Sequence, residues 1–406
     1  MLVSTLIALA ALLPGSQATS NGSLESRLDS AAKAGIDSGR MVGFSLAVIE
    51  DGKVALEKQY GLASIRRKTP VNADSEFAIG SVSKQFTAAC ILLLQEDGKL
   101  SLTDPVGKFF PDMTDSGTIT IRDLLNHVSG YLDWYPLDYL DSRLAHDVPS
   151  EYVRHTYGTM PLDFQPGSFY SYSNTGYLIA AMIVEKASGK RFFDFLSQRI
   201  LKPLRMDHTY EYRQTGPRFT ERYTRFFQAP LEVAVKEAPG WCLGAGGLVS
   251  TPDDLAKWDI ALMNGQVLKP NSWALMTQPR TLSGGGTSMY ALGLVASHYK
   301  GHVIYVHSGG MAGSITENLI CPDTRRGFAW TCNSDVADTS GFDKALMEDL
   351  VPSGEVRANP PPASSNLGTA RAFQARRPFG RRCRQDALWT DSIGQAGPKH
   401  PLTRNE

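Results

Sequence analysis

No C-x-x-C pair occurs among the five cysteines, Cys90, Cys242, Cys321, Cys332 and Cys383. Their scatter argues against a disulfide scaffold and against a zinc centre. Surplus charge is lacking too: 41 Lys and Arg stand against 41 Asp and Glu. No global field therefore draws the molecule to nucleic acid or to an anionic membrane surface. Beyond the N-terminus, no run is long and apolar enough for a membrane helix. No G-x-S-x-G elbow is present, which argues against an α/β-hydrolase. The glycine clusters Gly244-Ala245-Gly246-Gly247 and Gly284-Gly285-Gly286 lack the spacing and the Lys-Ser/Thr of a phosphate cradle, and read as loops. His298 and His302 are spaced like helical metal ligands but bracket Lys300-Gly301, a turn signal. No metal and no organic cofactor is expected.

What is present is enough to build a substantial core. The 406 residues are 42% hydrophobic and 20% charged, which fits one large or two ordinary domains. Residues 2–12 form a short apolar run followed by Pro14-Gly15-Ser16-Gln17-Ala18. Ser16 and Ala18 satisfy the small-x-small rule, so residues 1–18 read as a signal peptide, although no Lys or Arg precedes the run. The expected location is secreted or periplasmic. Residues 353–406 hold Pro360-Pro361-Pro362, nine Lys and Arg, four Asp and Glu and little periodic apolar content. They read as a disordered basic tail.

Between these ends the periodicity changes twice. Residues 23–39 carry Leu24, Leu28, Ala31, Ala32 and Ile36 at helical spacing. Alternating runs at 43–49 and 53–60 are joined by Asp51-Gly52, a hairpin signal. Helices are expected over 81–97, 120–128, 174–187, 191–201 and, from the Thr251-Pro252-Asp253-Asp254 start, to about Asn264. Strands are expected at 289–297, 302–307, 314–320 and 327–333, and a last helix at 341–350. A hairpin centred on Pro322–Arg326 sets Cys332 near Glu317, so a bridge to Cys321 is not expected. Strands at both ends with helices between imply one sheet built from the two ends, with a helical insertion.

Three motifs carry chemistry. Ser81-Val82-Ser83-Lys84 opens the apolar helix, and the i, i+3 spacing puts Ser81 and Lys84 on one face. A serine hydroxyl needs a base, and a lysine serves only when burial or a nearby cation lowers its pKa. Tyr172-Ser173-Asn174 lies on a loop entering a helix after the Pro166-Gly167 turn. There Tyr172 can relay a proton and Asn174 can orient a substrate amide. His307-Ser308-Gly309-Gly310 ends the 302–307 strand, where small residues admit a substrate backbone. The N–H groups of Ser81 and Gly310 are candidates for an oxyanion hole. Taken singly, each motif also has a bland reading: a capping serine, a packed tyrosine, a strand histidine.

Together and in this order, the motifs resemble the serine β-lactamase and penicillin-binding-protein superfamily. Phe77-Ala78-Ile79-Gly80-Ser81-Val82-Ser83-Lys84, Leu124-Leu125-Asn126-His127-Val128-Ser129-Gly130 and Gly246-Gly247-Leu248-Val249-Ser250-Thr251-Pro252-Asp253-Asp254-Leu255 carry the likeness. It runs from about residue 40 to 350 and is strongest to the class C and DD-peptidase-like branch, which includes esterases and D-aminopeptidases. The resemblance implies an α+β, β-lactamase/transpeptidase-like fold over 19–352: an antiparallel sheet flanked by helices, plus a helical lobe inserted at roughly 100–288. It implies Ser81 as acylated nucleophile, Lys84 and Tyr172 as bases, and Asn174, His307, Ser308, Gly309 and Gly310 on the substrate.

The departure is His307, where β-lactamases and transpeptidases of this superfamily usually carry lysine. Histidine is mostly neutral above about 6.5 and supplies no permanent cation for a substrate carboxylate. The expected function is therefore an exported serine hydrolase acting on a small ester, amide or peptide. One alternative is a D-Ala-D-Ala carboxypeptidase or penicillin-binding protein. Another is a non-catalytic binding role, against which all three motifs stand. No nucleic-acid partner is expected, and no stable membrane span.

Overall fold

Asp51 and Gly52 both adopt left-handed backbone angles (φ 49° and 72°), and the alternating runs on either side fold back as the strands Gly43–Glu50 and Lys53–Ser64. The structure, a computed structural model, describes residues 22–135, 142–227 and 229–351. The expected leader (1–18), the basic tail (353–406) and Cys383 lie outside the described residues. Seven strands form one antiparallel sheet. Their order is Thr69–Pro70, Lys53–Ser64, Gly43–Glu50, Arg326–Cys332, Ser314–Cys321, His302–Met311, Val295–Tyr299. Gly43–Glu50 pairs directly with Arg326–Cys332, so an early and a late segment of the chain meet in mid-sheet. The architecture is α+β.

Helices cover both faces. Leu24–Asp37 and Ser340–Leu350 lie on one, where Phe44 stacks on Phe342 at 4.0 Å and on Trp330 at 5.4 Å between ring centroids. Pro252–Met263 and Ser83–Glu96 lie on the other. Thr251 caps the first of these through the Asp254 N–H (3.2 Å), with Pro252 in its first turn. In Ser83–Glu96 every residue from Ser83 to Leu94 is buried. Such a helix has no face for water and runs through the interior. Its polar side chains are paired: Gln85 Nε2 donates to Asn318 Oδ1 (2.6 Å), and Trp258 Nε1 donates to Gln85 Oε1 (2.9 Å). Truncating Leu92 there to alanine would cost about 3 kcal/mol, the usual toll of a core cavity. Asn174–Ser188 packs beside this helix and gathers Ile121–Leu125, Ser150–Gly158 and Phe192–Leu196.

Several bounds differ from the sequence expectation. The helix expected at 120–128 stops at Leu125, because His127 takes a left-handed φ of 59° and turns the chain inward. The strand expected at 289–297 begins at Val295. Gly293 (φ 74°) breaks it, and a Cβ there would lie 2.7 Å from the Lys84 carbonyl oxygen. The strand expected at 302–307 continues to Met311, so His307 lies within it and not at its end. The 191–201 helix changes to a wider π turn at Ser197. Ser150–Gly158 and Pro270–Met276, short helices after or at a proline, were not expected. Cys332 pairs with Ile315, and Glu317 with Trp330, two residues from the expected register. The four described cysteines are free and buried.

Candidate active site

Ser81 lies in the 3-10 turn Gly80–Val82 that leads into the buried helix, and it is half-buried. One turn on, Lys84 is wholly buried. Its Nζ lies 3.0 Å from Ser81 Oγ, 2.8 Å from Asn174 Oδ1 and 2.6 Å from the Ala245 carbonyl oxygen. The aromatic rings of Tyr172 and Tyr177 stand 4.8 and 5.5 Å from it. Burial pulls its pKa from 10.5 down to about 7, opposed by the charge of Asp133. A lysine so placed spends much of its time as a neutral amine near physiological pH.

Tyr172 moves the other way. Burial raises its phenol well above the ordinary value of 10, and interaction with Ser81 only partly opposes this. The two expected bases therefore separate: Lys84 accepts a proton readily, and Tyr172 rests as a phenol that can pass one on. Ser173 caps the helix Asn174–Ser188 by accepting the Gly176 N–H at 3.3 Å. Its own N–H donates to His127 Nδ1 at 3.0 Å. The His127 ring lies 4.2 Å from that of Tyr172, so His127 holds the tyrosine loop both by hydrogen bond and by stacking.

Asn174 calls for a correction. It was expected to orient a substrate amide, but its Oδ1 receives Lys84 and its Nδ2 donates to Asp133 Oδ2 at 3.2 Å. His307 calls for another. Its Nδ1 lies 2.6 Å from the Ser308 carbonyl oxygen, which only accepts, so the proton is on Nδ1. Nε2 then accepts the Tyr290 hydroxyl at 2.8 Å. Both ring nitrogens are engaged by protein, and burial, with Lys84 adding to it, lowers the pKa to about 3. His307 is a neutral, satisfied floor residue that leaves no nitrogen for a substrate.

The glycines are brought to the serine by main-chain contact. Beyond Val306 the strand His302–Met311 has no partner on the Val295–Tyr299 side, and there it meets the Ser81 turn. A Cβ on Gly309 would lie 2.0 Å from the Ile79 carbonyl oxygen and 3.2 Å from the Ser81 nitrogen. A Cβ on Gly80 (φ 49°) would lie 2.8 Å from the Gly310 nitrogen. Gly310 has open space where its own Cβ would be. The Ser81 and Gly310 nitrogens thus stand on one side of the cleft, as an oxyanion site requires. Ser308 pairs with Glu317, and strand alternation places its side chain on the sheet face opposite His307.

Sequence reasoning missed Asp133 and Tyr290, and it quoted His127 without giving it a task. The sole signal for Asp133 was a lone acid in the stretch Gly130–Tyr135. Tyr290 lay in a run read as strand. Among the described residues, no cluster of His, Cys, Asp and Glu could hold a metal, and no helix is long and apolar enough to cross a membrane.

Comparison with known proteins agrees on the same frame. The sequence profile of the family described as Beta-lactamase matches residues 28–351. A penicillin-binding protein of Bacillus subtilis (strain 168) is 29% identical over 317 residues, which is 74% of this chain and 69% of that protein. A D-aminopeptidase of Brucella anthropi is 27% identical over 70% of this chain, which spans only 54% of that relative's length. The D-amino acid amidase of Ochrobactrum anthropi SV3, solved with L-phenylalanine amide, superposes with a TM-score of 0.69 at 25% identity, covering 80% of this chain and 96% of the other. The fold, the order of the motifs and these likenesses coincide, and the chain belongs to the Beta-lactamase family.

Proposed function

We propose that the chain is an exported serine hydrolase that opens a small amide or ester through an acyl-enzyme on Ser81. One observation carries the reading: a wholly buried lysine, lowered to about 7, stands 3.0 Å from the Ser81 hydroxyl. In this scheme Lys84 takes the Ser81 proton as Oγ bonds to the substrate carbonyl carbon. The carbonyl oxygen gains the charge and rests on the N–H groups of Ser81 and Gly310. Collapse breaks the bond to the amine or alcohol, which leaves with a proton passed through Tyr172. Water then attacks the ester, gives its proton to the same base pair, and frees the acid and Ser81.

The neutral His307 favours substrates with no carboxylate beside the scissile bond. Likeness to the D-amino acid amidase and the D-aminopeptidase supports a short amide with a D-configured acyl residue. Export rests on residues 1–18 of the sequence alone. A second reading, D-Ala-D-Ala carboxypeptidase, draws on the likeness to the Bacillus subtilis penicillin-binding protein. It needs another cation for the terminal carboxylate.

Intact-mass spectrometry with a p-nitrophenyl ester, D-phenylalanine amide, a D-Ala-D-Ala peptide and a penicillin tests both. The first reading expects Ser81-dependent turnover of the ester and the amide without a lasting penicillin adduct. Release of D-alanine with a stable penicillin adduct supports the second. Turnover unchanged in Ser81→Ala removes both.

A further inference from the structure

Around Lys84 the hydrogen-bond polarities can be counted. A neutral lysine amine has two hydrogens and one lone pair, and three oxygens surround Nζ. The Ala245 carbonyl only accepts. So does Asn174 Oδ1 as the amide is turned here. Both hydrogens go to these two, and the lone pair is left for Ser81, the one partner of the three that can donate. With the Asn174 amide reversed, its NH2 would take the lone pair. Ser81 would then face an N–H, the wrong polarity for a base.

The amide is held the right way by Asp133. Asp133 Oδ2 accepts the Asn174 Nδ2–H at 3.2 Å, and Oδ1 accepts the Asn174 main-chain N–H at 2.9 Å. A carboxylate cannot donate, so a reversed amide would set oxygen against oxygen. Asp133 is fixed in turn. The Tyr135 N–H donates to its Oδ1 at 3.3 Å, and the neighbouring Trp134 N–H donates to Thr175 Oγ1 at 3.1 Å. Its charge lies at the first residue of the 15-residue helix Asn174–Ser188, where an anion is favoured.

We propose that Asp133 is a positioning residue that fixes the Asn174 amide so that Lys84 keeps its lone pair for the Ser81 hydroxyl. The assignment rests on Ser81 being the nucleophile. It places the orientation of the base on a loop that touches neither the serine nor the lysine through a hydrogen bond.

The test is a double-mutant cycle on p-nitrophenyl acetate, with kcat and KM measured for Asp133→Ala, Asn174→Ala and the pair. Asp133→Ala is expected to lower kcat roughly 10- to 100-fold, a part of what a general base supplies, with KM within about threefold. In the Asn174→Ala background the same change is expected to cost less than about threefold, because Asp133 acts through that amide. Asp133→Asn keeps an acceptor at the same reach and is expected to recover kcat to within about fivefold of the parent. Asp133→Ser can still cap the Asn174 N–H, so the fold is kept, but it is too short to hold Nδ2; it is expected to match Asp133→Ala. Thermal melts accompany each variant. Full kcat in Asp133→Ala or Asp133→Ser overturns the proposal, as do losses that multiply in the double variant. Ser81→Ala, run alongside, separates the two levels. Activity that survives it removes the hydrolase reading and this proposal together, whereas Ser81-dependent activity indifferent to Asp133 removes this proposal alone.

Discussion

Burial lowers the Lys84 pKa from 10.5 to about 7, and this single shift has two readouts of the same sign. As pH rises through about 7 the amine loses its proton, so kcat/KM for a neutral ester is expected to climb there and level off above. The folded value lies below the unfolded one. The stability linked to Lys84 is therefore fully present above about 10.5 and is lost as pH falls through about 7. Lys84→Met is expected to abolish turnover and to flatten the unfolding curve over that window, as read by urea titration at pH 6 and 9. Two adjacent glycines give a sharper contrast. Gly309→Ala would drive a methyl against the Ile79 carbonyl 2.0 Å away, so a loss on the order of 3 kcal/mol and of activity is expected. Gly310→Ala meets open space, and its melting temperature is expected to stay near that of the parent. Equal melting losses in the two variants would refute the close contact at Gly309.

Elements were legible where one local rule set them. Asp51-Gly52 announced its hairpin, Thr251-Pro252 its helix, and the apolar run after Ser81 the buried rod. Ser81, Lys84, Tyr172 and Asn174 were legible because spacing and helix starts put them together. His307 was legible in position but not in role, because its neutral form depends on Tyr290, 17 residues upstream on a segment that Gly293 bends out of the sheet. Asp133 was illegible because its partner Asn174 is 41 residues away in sequence and no local pattern links them. Contacts between elements also carry their own chemistry. Glu317 on the strand Ser314–Cys321 is raised to about 8 and Asp343 on the helix Ser340–Leu350 to about 6, each chiefly by burial. Folded values above the unfolded ones mean stability present at low pH and lost as pH rises through them. Glu317→Gln is expected to gain on the parent in urea midpoint between pH 6 and 9. A constant difference across that range would show that the two carboxyls do not share the interior.

For the molecule as a whole, balanced charge removes long-range steering. With 41 basic and 41 acidic residues, kcat/KM for an uncharged ester is expected to change less than about twofold between 0.05 and 0.5 M sodium chloride. A steep salt dependence would reveal a local field at the cleft. The two ends of the described chain share one sheet, and the nucleophile turn lies against that sheet at Gly309 and Gly80, where no side chain intervenes. This junction acts as a machinist's datum surface: the distance from serine to strand is inherited from the main chain and from no rotamer. Replacements in the surrounding loops can thus reshape what is bound while the alignment of the reacting atoms stays as it was. Chemistry and substrate range are therefore separable in this scaffold, and a change in one need not be bought with a loss of the other.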